Sequence, residues 1–435
     1  MEKKNSVALW SLLCFFVPPV GFALWFIWSK QDRKGDRKSI AIATLVGIAV
    51  YVFVIVMCVY FYSTFVYILY ILFAIVALLF MVTLHELGHY IAGRILKFKI
   101  TEFSIGFGLP LFQIKNKRGE IISLRLFPLG GYCSFDGEGD DENVPTEGSF
   151  NSQKPWKRII VFLAGVTMNF LTAIVFSLIL LCTIGYDTMQ VSATDMQFDD
   201  GYSVSTTGSL EEDDVILAIN GKKIDFAFSA TYQDLIKQEL DNAIAQVKDE
   251  TNTQVQSLED YKITFTVRRD GETIDVNDVY FVSHTYTYEN QELTKYTIGV
   301  SLKSYVYSFW EALARCIPFA FGLAWIVLKG LWQLLTFQVA INQIGGTVTT
   351  VALMASYTQA NPATMLLLIP LVSANLAVFN LLPFPALDGS HVLFTSIEAI
   401  RKKPINRKVE NMIHTVGLLI LFAFVVVVDI LHFVL

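Results

Sequence analysis

The chain predicts a polytopic α-helical membrane protein that carries one polar extracytoplasmic α+β domain. Three observations lead there. Of 435 residues, 54% are hydrophobic and only 17% are charged, against about 25% charged in ordinary soluble domains. The apolar residues are gathered into runs of the length a bilayer needs, and mean hydropathy is +0.50. The polar residues are gathered into one acidic stretch, 187–305. A net charge of −6 supplies no basic field for nucleic acid. The five cysteines, at 14, 58, 133, 182 and 316, follow no CxxC or repeating pattern, which argues against a disulfide framework or a zinc ribbon.

Crossing a hydrocarbon core of about 30 Å takes roughly 20 mostly apolar residues. Spans are expected at 39–62, 65–90, 158–185, 363–384 and 409–434. Two further stretches are less regular. Residues 8–28 contain Val17-Pro18-Pro19, which can break a helix into a re-entrant hairpin; a span with an outside N-terminus is the alternative, and Lys3 and Lys4 favour the hairpin. Residues 309–336 carry Glu311, Arg315, Lys329 and Gln333, as a helix lying along the interface would. Basic loops at 29–38, 154–158 and 401–403 orient the set with those loops in the cytoplasm. Span 39–62 then runs outward, 65–90 returns, 158–185 leaves again and 187–305 is extracytoplasmic. Span 363–384 comes back and 409–434 goes out, provided that 309–336 does not fully cross.

The cytoplasmic end of 65–90 reads His85-Glu86-Leu87-Gly88-His89. Positions i and i+4 share a helix face, so both imidazoles reach one cation while Glu86 contacts its bound water. Such polar groups inside an apolar helix are costly and mark function. Catalytic zinc takes three protein ligands and keeps one position for water, so a third ligand has to come from a distant element at the same depth. Asn380-Leu381-Leu382-Pro383-Phe384-Pro385-Ala386-Leu387-Asp388-Gly389 ends the inward span. Its two prolines unwind the helix and Gly389 lets the backbone turn. Asp388 is the candidate third ligand, with a helix N-cap for 390–401 as its plain reading. His391 is the other candidate ligand.

The two motifs together closely resemble the site-2 protease family, in particular its RseP-like bacterial branch of intramembrane zinc metalloproteases, over about residues 70–434. The resemblance implies that His85, His89 and Asp388 bind zinc and that Glu86 is the general base. It implies hydrolysis of peptide bonds within the transmembrane segments of single-pass membrane proteins, such as an anti-sigma factor or a signal-peptide remnant. The site would face the cytoplasmic side of the cell membrane. Asparagines hold the substrate backbone in that family; here they are Asn380, Asn375 and Asn169, each with interhelical hydrogen bonding as its plain reading. Residues 101–108 and 126–132 look like the two ends of the family's membrane re-entrant β-hairpin. Ile122, Leu124 and Leu126 alternate with Ser123 and Arg125, and Asn116-Lys117-Arg118-Gly119 supplies a turn. A cytosolic loop hairpin is the alternative.

Residues 208–224 resemble the core of a bacterial PDZ domain, and 261–272 a later strand pair with an Asp270-Gly271 turn. Asp213 stands where PDZ relatives have glycine, and the polar stretch 231–258 reads as an inserted loop. The expected role is a size filter that excludes substrates with large outer regions. The resulting division is a membrane extension at 1–64, two halves of the protease core at 65–186 and 306–435, and the PDZ-like domain at 187–305. Two other function classes compete. An inactive zinc-binding scaffold has no use for Glu86, a base that does not bind metal. A metal-ion transporter needs a polar trail across the bilayer, and the polar intramembrane residues cluster at one depth.

Overall fold

The structure, a computed structural model, describes residues 10–11, 14–15, 17, 19–21, 26, 34–138, 148–186, 188–198, 201–224, 231–251, 258–288, 291–339 and 345–434. They fall into two compact units, Met1–Ala74 and Ile75–Leu435. Most of the expected hairpin 8–28, and the first half of the basic loop 29–38, lie outside the described residues. The second half of that loop is already helical, as the start of α1, Lys34–Tyr60. In the first unit Cys14 packs on Ile40, and the Thr44 hydroxyl donates to the Ile40 carbonyl at 2.8 Å.

In chain order there follow α2 (Tyr62–Ile95), β1 (Ile100–Lys115), β2 (Ile121–Phe135) and α3 (Pro155–Thr183). The polar domain holds β3 (Met189–Ala193), β4 (Asp195–Gln197), β5 (Ser203–Ser205), β6 (Val215–Ile219), β7 (Lys222–Lys223), α4 (Tyr232–Thr251), β8 (Leu258–Arg269), β9 (Glu272–Tyr288), β10 (Gln291–Thr297) and β11 (Ser301–Ser304). The chain closes with α5 (Phe309–Leu335), α6 (Thr347–Ala360), α7 (Met365–Leu381), α8 (Asp388–Arg401) and α9 (Arg407–Val434). Among the described residues six helical segments are long and apolar enough to cross a membrane: Lys38–Met57, Thr64–Ile95, Pro155–Thr183, Phe309–Leu335, Pro362–Leu381 and Arg407–His432. All five clear sequence spans are among them, as expected of a multi-pass membrane protein.

Helices α3, α5 and α7 form the heart of the bundle. Ala173, Ala312, Ala320, Ala324 and Ala374 are buried between them, small residues that let helix backbones approach where lipid offers no hydrophobic drive. A capping box of Ser308 and Glu311 starts α5, and the Tyr307 N–H donates to the Leu181 carbonyl at 3.0 Å, at the C-terminal end of α3. Helix α5 buries Ala312, Cys316, Phe319, Ala320, Leu323 and Ala324 in the bundle. At the opposite end, Arg158 of α3 and Arg407 of α9 both pair with Glu398 of α8, at 2.6 and 2.9 Å. Asp429, towards the far end of α9, accepts the Val348 and Thr349 N–H groups that begin α6, at 3.1 and 2.9 Å. Helices α5 and α6 therefore begin at the same end of the bundle.

The hairpin β1–β2 is longer and more curled than simple alternation suggests. Glu102–Ile105 lies beside both Ile121–Leu124 and Gly131–Ser134, so the two strands fold back into a small sheet. The bends fall at Gly106 and Gly108, with φ of +86° and +85°, where a side chain would be strained. The tip is the expected turn: Asn116 Oδ1 accepts the Arg118 and Glu120 N–H groups at 2.9 and 3.1 Å.

The polar domain is a sheet of order β10-β9-β8-β6-β3-β11, with β7 beside β6 and the β4–β5 pair separate. Its core gathers Val191, Ile216, Ile219, Ile263, Phe265 and Val279. The Asp270-Gly271 turn has φ of +52° and +87°, the pattern of a two-residue type I′ hairpin. Asp213 is left-handed, with φ of +70°, so it occupies glycine's conformation without being glycine. Residues 232–251 are not a loop but the helix α4, which buries Leu235, Glu239 and Ala243.

The Glu398 node tests the fold. Arg158 and Glu398 are only 5% and 6% exposed, and removing one partner of such a pair costs about 3–5 kcal/mol. Glu398→Ala should therefore lower the melting temperature in detergent strongly, and Glu398→Gln less. An unchanged melting temperature for Glu398→Ala would show that the node does not hold α8 to α3.

Candidate metal centre

The centre is built where α2 crosses α3. A Cβ on Gly88 would run into the Ala164 carbonyl and the Met168 side chain, and one on Gly165 into His89 Nε2 and His85 Cε1. These two glycines bring the helices together and leave room for the imidazoles. The chain then returns to the same place from far downstream. Helix α7 ends at Leu381, Leu382 is extended, and Ala386 turns left-handed with φ of +77°. Helix α8 starts with Asp388 as its first residue, while Leu387 holds the N-cap position without a side-chain cap. Asp388 is therefore not the N-cap. Nor does Gly389 supply a left-handed turn; its missing side chain lets α8 press against the Leu381 and Leu382 carbonyls.

Three donors converge. Asp388 Oδ2 lies 3.0 Å from His85 Nε2 and 3.4 Å from His89 Nε2, and the two Nε2 atoms are 3.2 Å apart. Donors each about 2.0–2.1 Å from a tetrahedral ion stand roughly 3.3–3.4 Å from one another, so the triangle has the size an ion would impose. Asp388 Oδ2 is buried and makes no hydrogen bond despite these neighbours, as expected of lone pairs aimed at a shared point. His89 Nδ1 is 2.8 Å from the Val161 carbonyl. A carbonyl only accepts, so the ring proton sits on Nδ1 and Nε2 is free to ligate. The residues present fit a metal ion with two nitrogens and one oxygen from the protein.

A cavity of about 240 Å³ opens beside the triangle, lined by Val82, His85, Glu86, Asn169, Leu376, Asn380, Ala386 and Asp388. The Cys133 backbone N–H faces the Glu86 carboxylate, and a Cβ on Gly131 would stand 3.4 Å from Glu86 Cγ. The end of β2 thus runs beside Glu86. The Asn169 amide is 3.1 Å from His85 Nδ1, and Asn380 lines the cavity, whereas Asn375 is exposed and does not. His391 lies away from the triangle, stacked between Phe162 at 4.8 Å and His414 at 4.0 Å. Sequence reasoning missed Gly165, the Val161 carbonyl and His414. A glycine inside a span was the one available signal.

Gly165 gives a direct test. Gly165→Val should cut bound metal at least tenfold, measured on purified protein. Gly330→Ala, where a Cβ meets nothing within 4 Å, should leave it unchanged. Full metal content in Gly165→Val would refute the account of how the helices make room for the rings.

Comparison with known proteins gives the same direction. A relative from Fusobacterium nucleatum, provisionally named a zinc metalloprotease, is 27% identical over 82% of this chain and 97% of its own. Relatives with the same provisional name from Synechocystis and Clostridium perfringens are each 29% identical, over 82% and 83% of this chain and 94% and 98% of theirs. Peptidase family M50 matches residues 73–424, which takes in α2 from before the metal motif through most of α9. The chain belongs to peptidase family M50, the site-2 protease family.

Proposed function

We propose that the protein is an intramembrane zinc endopeptidase that cleaves within the transmembrane segments of single-pass membrane proteins. One observation carries this reading: three donors converge within 3.4 Å and share a cavity wall with Glu86, at the end of a helix apolar enough to span. Two imidazoles and a carboxylate suit zinc, the metal in the names of the relatives. When bound, zinc lowers the pKa of water to about 7 and polarises a carbonyl.

The remaining chemistry belongs to side chains. Glu86 does not ligate; it takes the proton of the attacking water and delivers it to the leaving amine. Asn169 holds His85 in the ligating tautomer. If its amide turns by 180°, Oδ1, which is buried and unpartnered, accepts the Nδ1 proton and frees Nε2. Asn380 donates to the substrate backbone on the opposite wall. A substrate helix shields its own peptide bonds, so it has to unwind. The edge of β2 near Cys133 offers replacement hydrogen bonds to an extended segment. The exposed Leu109, Leu111, Phe112, Leu124 and Phe127 support a hairpin that dips into the membrane, since open edges survive there only beside a cavity.

The polar domain, PDZ-like and extracytoplasmic, acts as a size filter. It admits proteins already shortened on their outer side, such as an anti-sigma factor or a signal-peptide remnant, in regulated intramembrane proteolysis. The active site faces the cytoplasm.

Two experiments test the reading. With a model transmembrane substrate, Glu86→Gln should keep its zinc and lose at least a hundredfold in rate, while His85→Ala and Asp388→Ala should lose both, as chelator does to wild type. Equal zinc loss in Glu86→Gln would make that residue a ligand, contrary to its role here. Deleting 187–305 should allow cleavage of substrates with intact outer domains; continued rejection of them would remove the filter.

A further inference from the structure

We infer that His414 on α9 is a positioning residue for Asp388, acting through the turn that carries it. The inference rests on the metal-centre reading above. Asp388 is delivered by a segment with no regular structure between Leu382 and Leu387, and a left-handed Ala386 is not a conformation such a residue holds unaided. His414 supplies the hold. The Ala386 backbone N–H donates to His414 Nδ1 at 3.0 Å, two residues before the ligand. Three residues on and one turn along α9, Gly417 is bare where Pro385 packs; a Cβ there would collide with the Pro385 ring and crowd its carbonyl at 3.1 Å. His414 and Gly417 lie on one helix face and form a cradle for Pro385 and Ala386.

The ring that accepts the N–H is itself fixed. His414 stacks on His391 with planes 8° apart, and the other face of His391 stacks on Phe162 at 14°. Phe162 follows Val161, whose carbonyl orients His89. The Ser390 hydroxyl, 3.5 Å from Nδ1, gives its proton to the Leu387 carbonyl at 2.7 Å, so the Ala386 N–H at 3.0 Å is the donor that Nδ1 accepts. With Nδ1 accepting, the His414 proton sits on Nε2, which is buried and without a hydrogen-bond partner. Neither a role in packing alone nor one as a metal ligand explains an acceptor aimed at this particular N–H.

Three variants separate positioning from packing. His414→Asn keeps an acceptor near the place of Nδ1 and gives up the stack. His414→Phe keeps the stack and bulk but has no acceptor. Gly417→Val pushes on Pro385 while leaving His414 intact. Zinc affinity is measured by competition with a graded series of chelators, and site geometry by the visible spectrum of the cobalt-substituted protein. Positioning predicts that His414→Phe and Gly417→Val bind zinc at least tenfold more weakly, with an altered cobalt spectrum, and that His414→Asn stays within threefold of wild type. Wild-type affinity in His414→Phe, or a greater loss in His414→Asn than in His414→Phe, overturns the inference and leaves the metal centre standing. A wild-type protein that binds no zinc overturns the proposed function and this inference with it.

Discussion

Two imidazoles and a carboxylate stand within 3.4 Å of one another inside an apolar bundle. Polar groups at such depth are expensive unless something they share repays the desolvation. A metal ion does so, and its demand for three donors at fixed spacing sets the tolerance for every element around it. The nearest backbone contacts follow from that demand. Gly88 and Gly165 are bare because a side chain would run into the backbone of α3 at the first and into the imidazoles at the second.

The third ligand poses the harder problem, because it comes from the other half of the chain. His85 and His89 are spaced by the helix itself, whereas Asp388 has to be brought in by the packing of α7, α8 and α9. At one end of α8 the Glu398 carboxylate ties it to Arg158 and Arg407. At the other end the turn before Asp388 rests on His414 and Gly417. A helix pinned at both ends presents its first residue at a fixed place. This accounts for a buried charged network at the edge of the bundle, where an apolar contact of similar volume would be no less stable.

The parts of this design legible in the sequence are those whose signal is local. Two histidines four apart in an apolar run declare a shared face, and the Asp270-Gly271 pair declares its hairpin. The Asn116 turn is equally plain. Helix α4 escaped because the polar composition of 231–258 hides a stripe of Tyr232, Leu235, Ile236, Leu240, Ala243 and Ile244 with helical spacing. The charges in 309–336 have local partners, Glu311 in the capping box and Arg315 over the Tyr307 ring, which leaves an apolar face for α3 and α7. The Val161 carbonyl carries no residue identity, so no pattern could announce it. His391 and His414 have the residue type of ligands and stand with Glu410 as a second group of donors, but His414 Nδ1 is taken by the Ala386 N–H.

One short piece of α3 unites these contacts. Val161 fixes His89, Phe162 carries the stack that ends on His414, Gly165 makes room for both rings, and Asn169 meets His85. Positions 161, 165 and 169 repeat every four residues and so lie along one face of the helix. That face touches the motif helix α2 directly and reaches the Asp388 turn through His391. A single rigid element thus sets both halves of the site against a common reference. Any shift of α3 along its axis would displace the two histidines and the aspartate by different routes and open the triangle. The alanine-lined contacts of α3 with α5 and α7, which line no part of the cavity, therefore belong to the centre as much as the ligands do: they oppose the motion that the ligand spacing cannot tolerate.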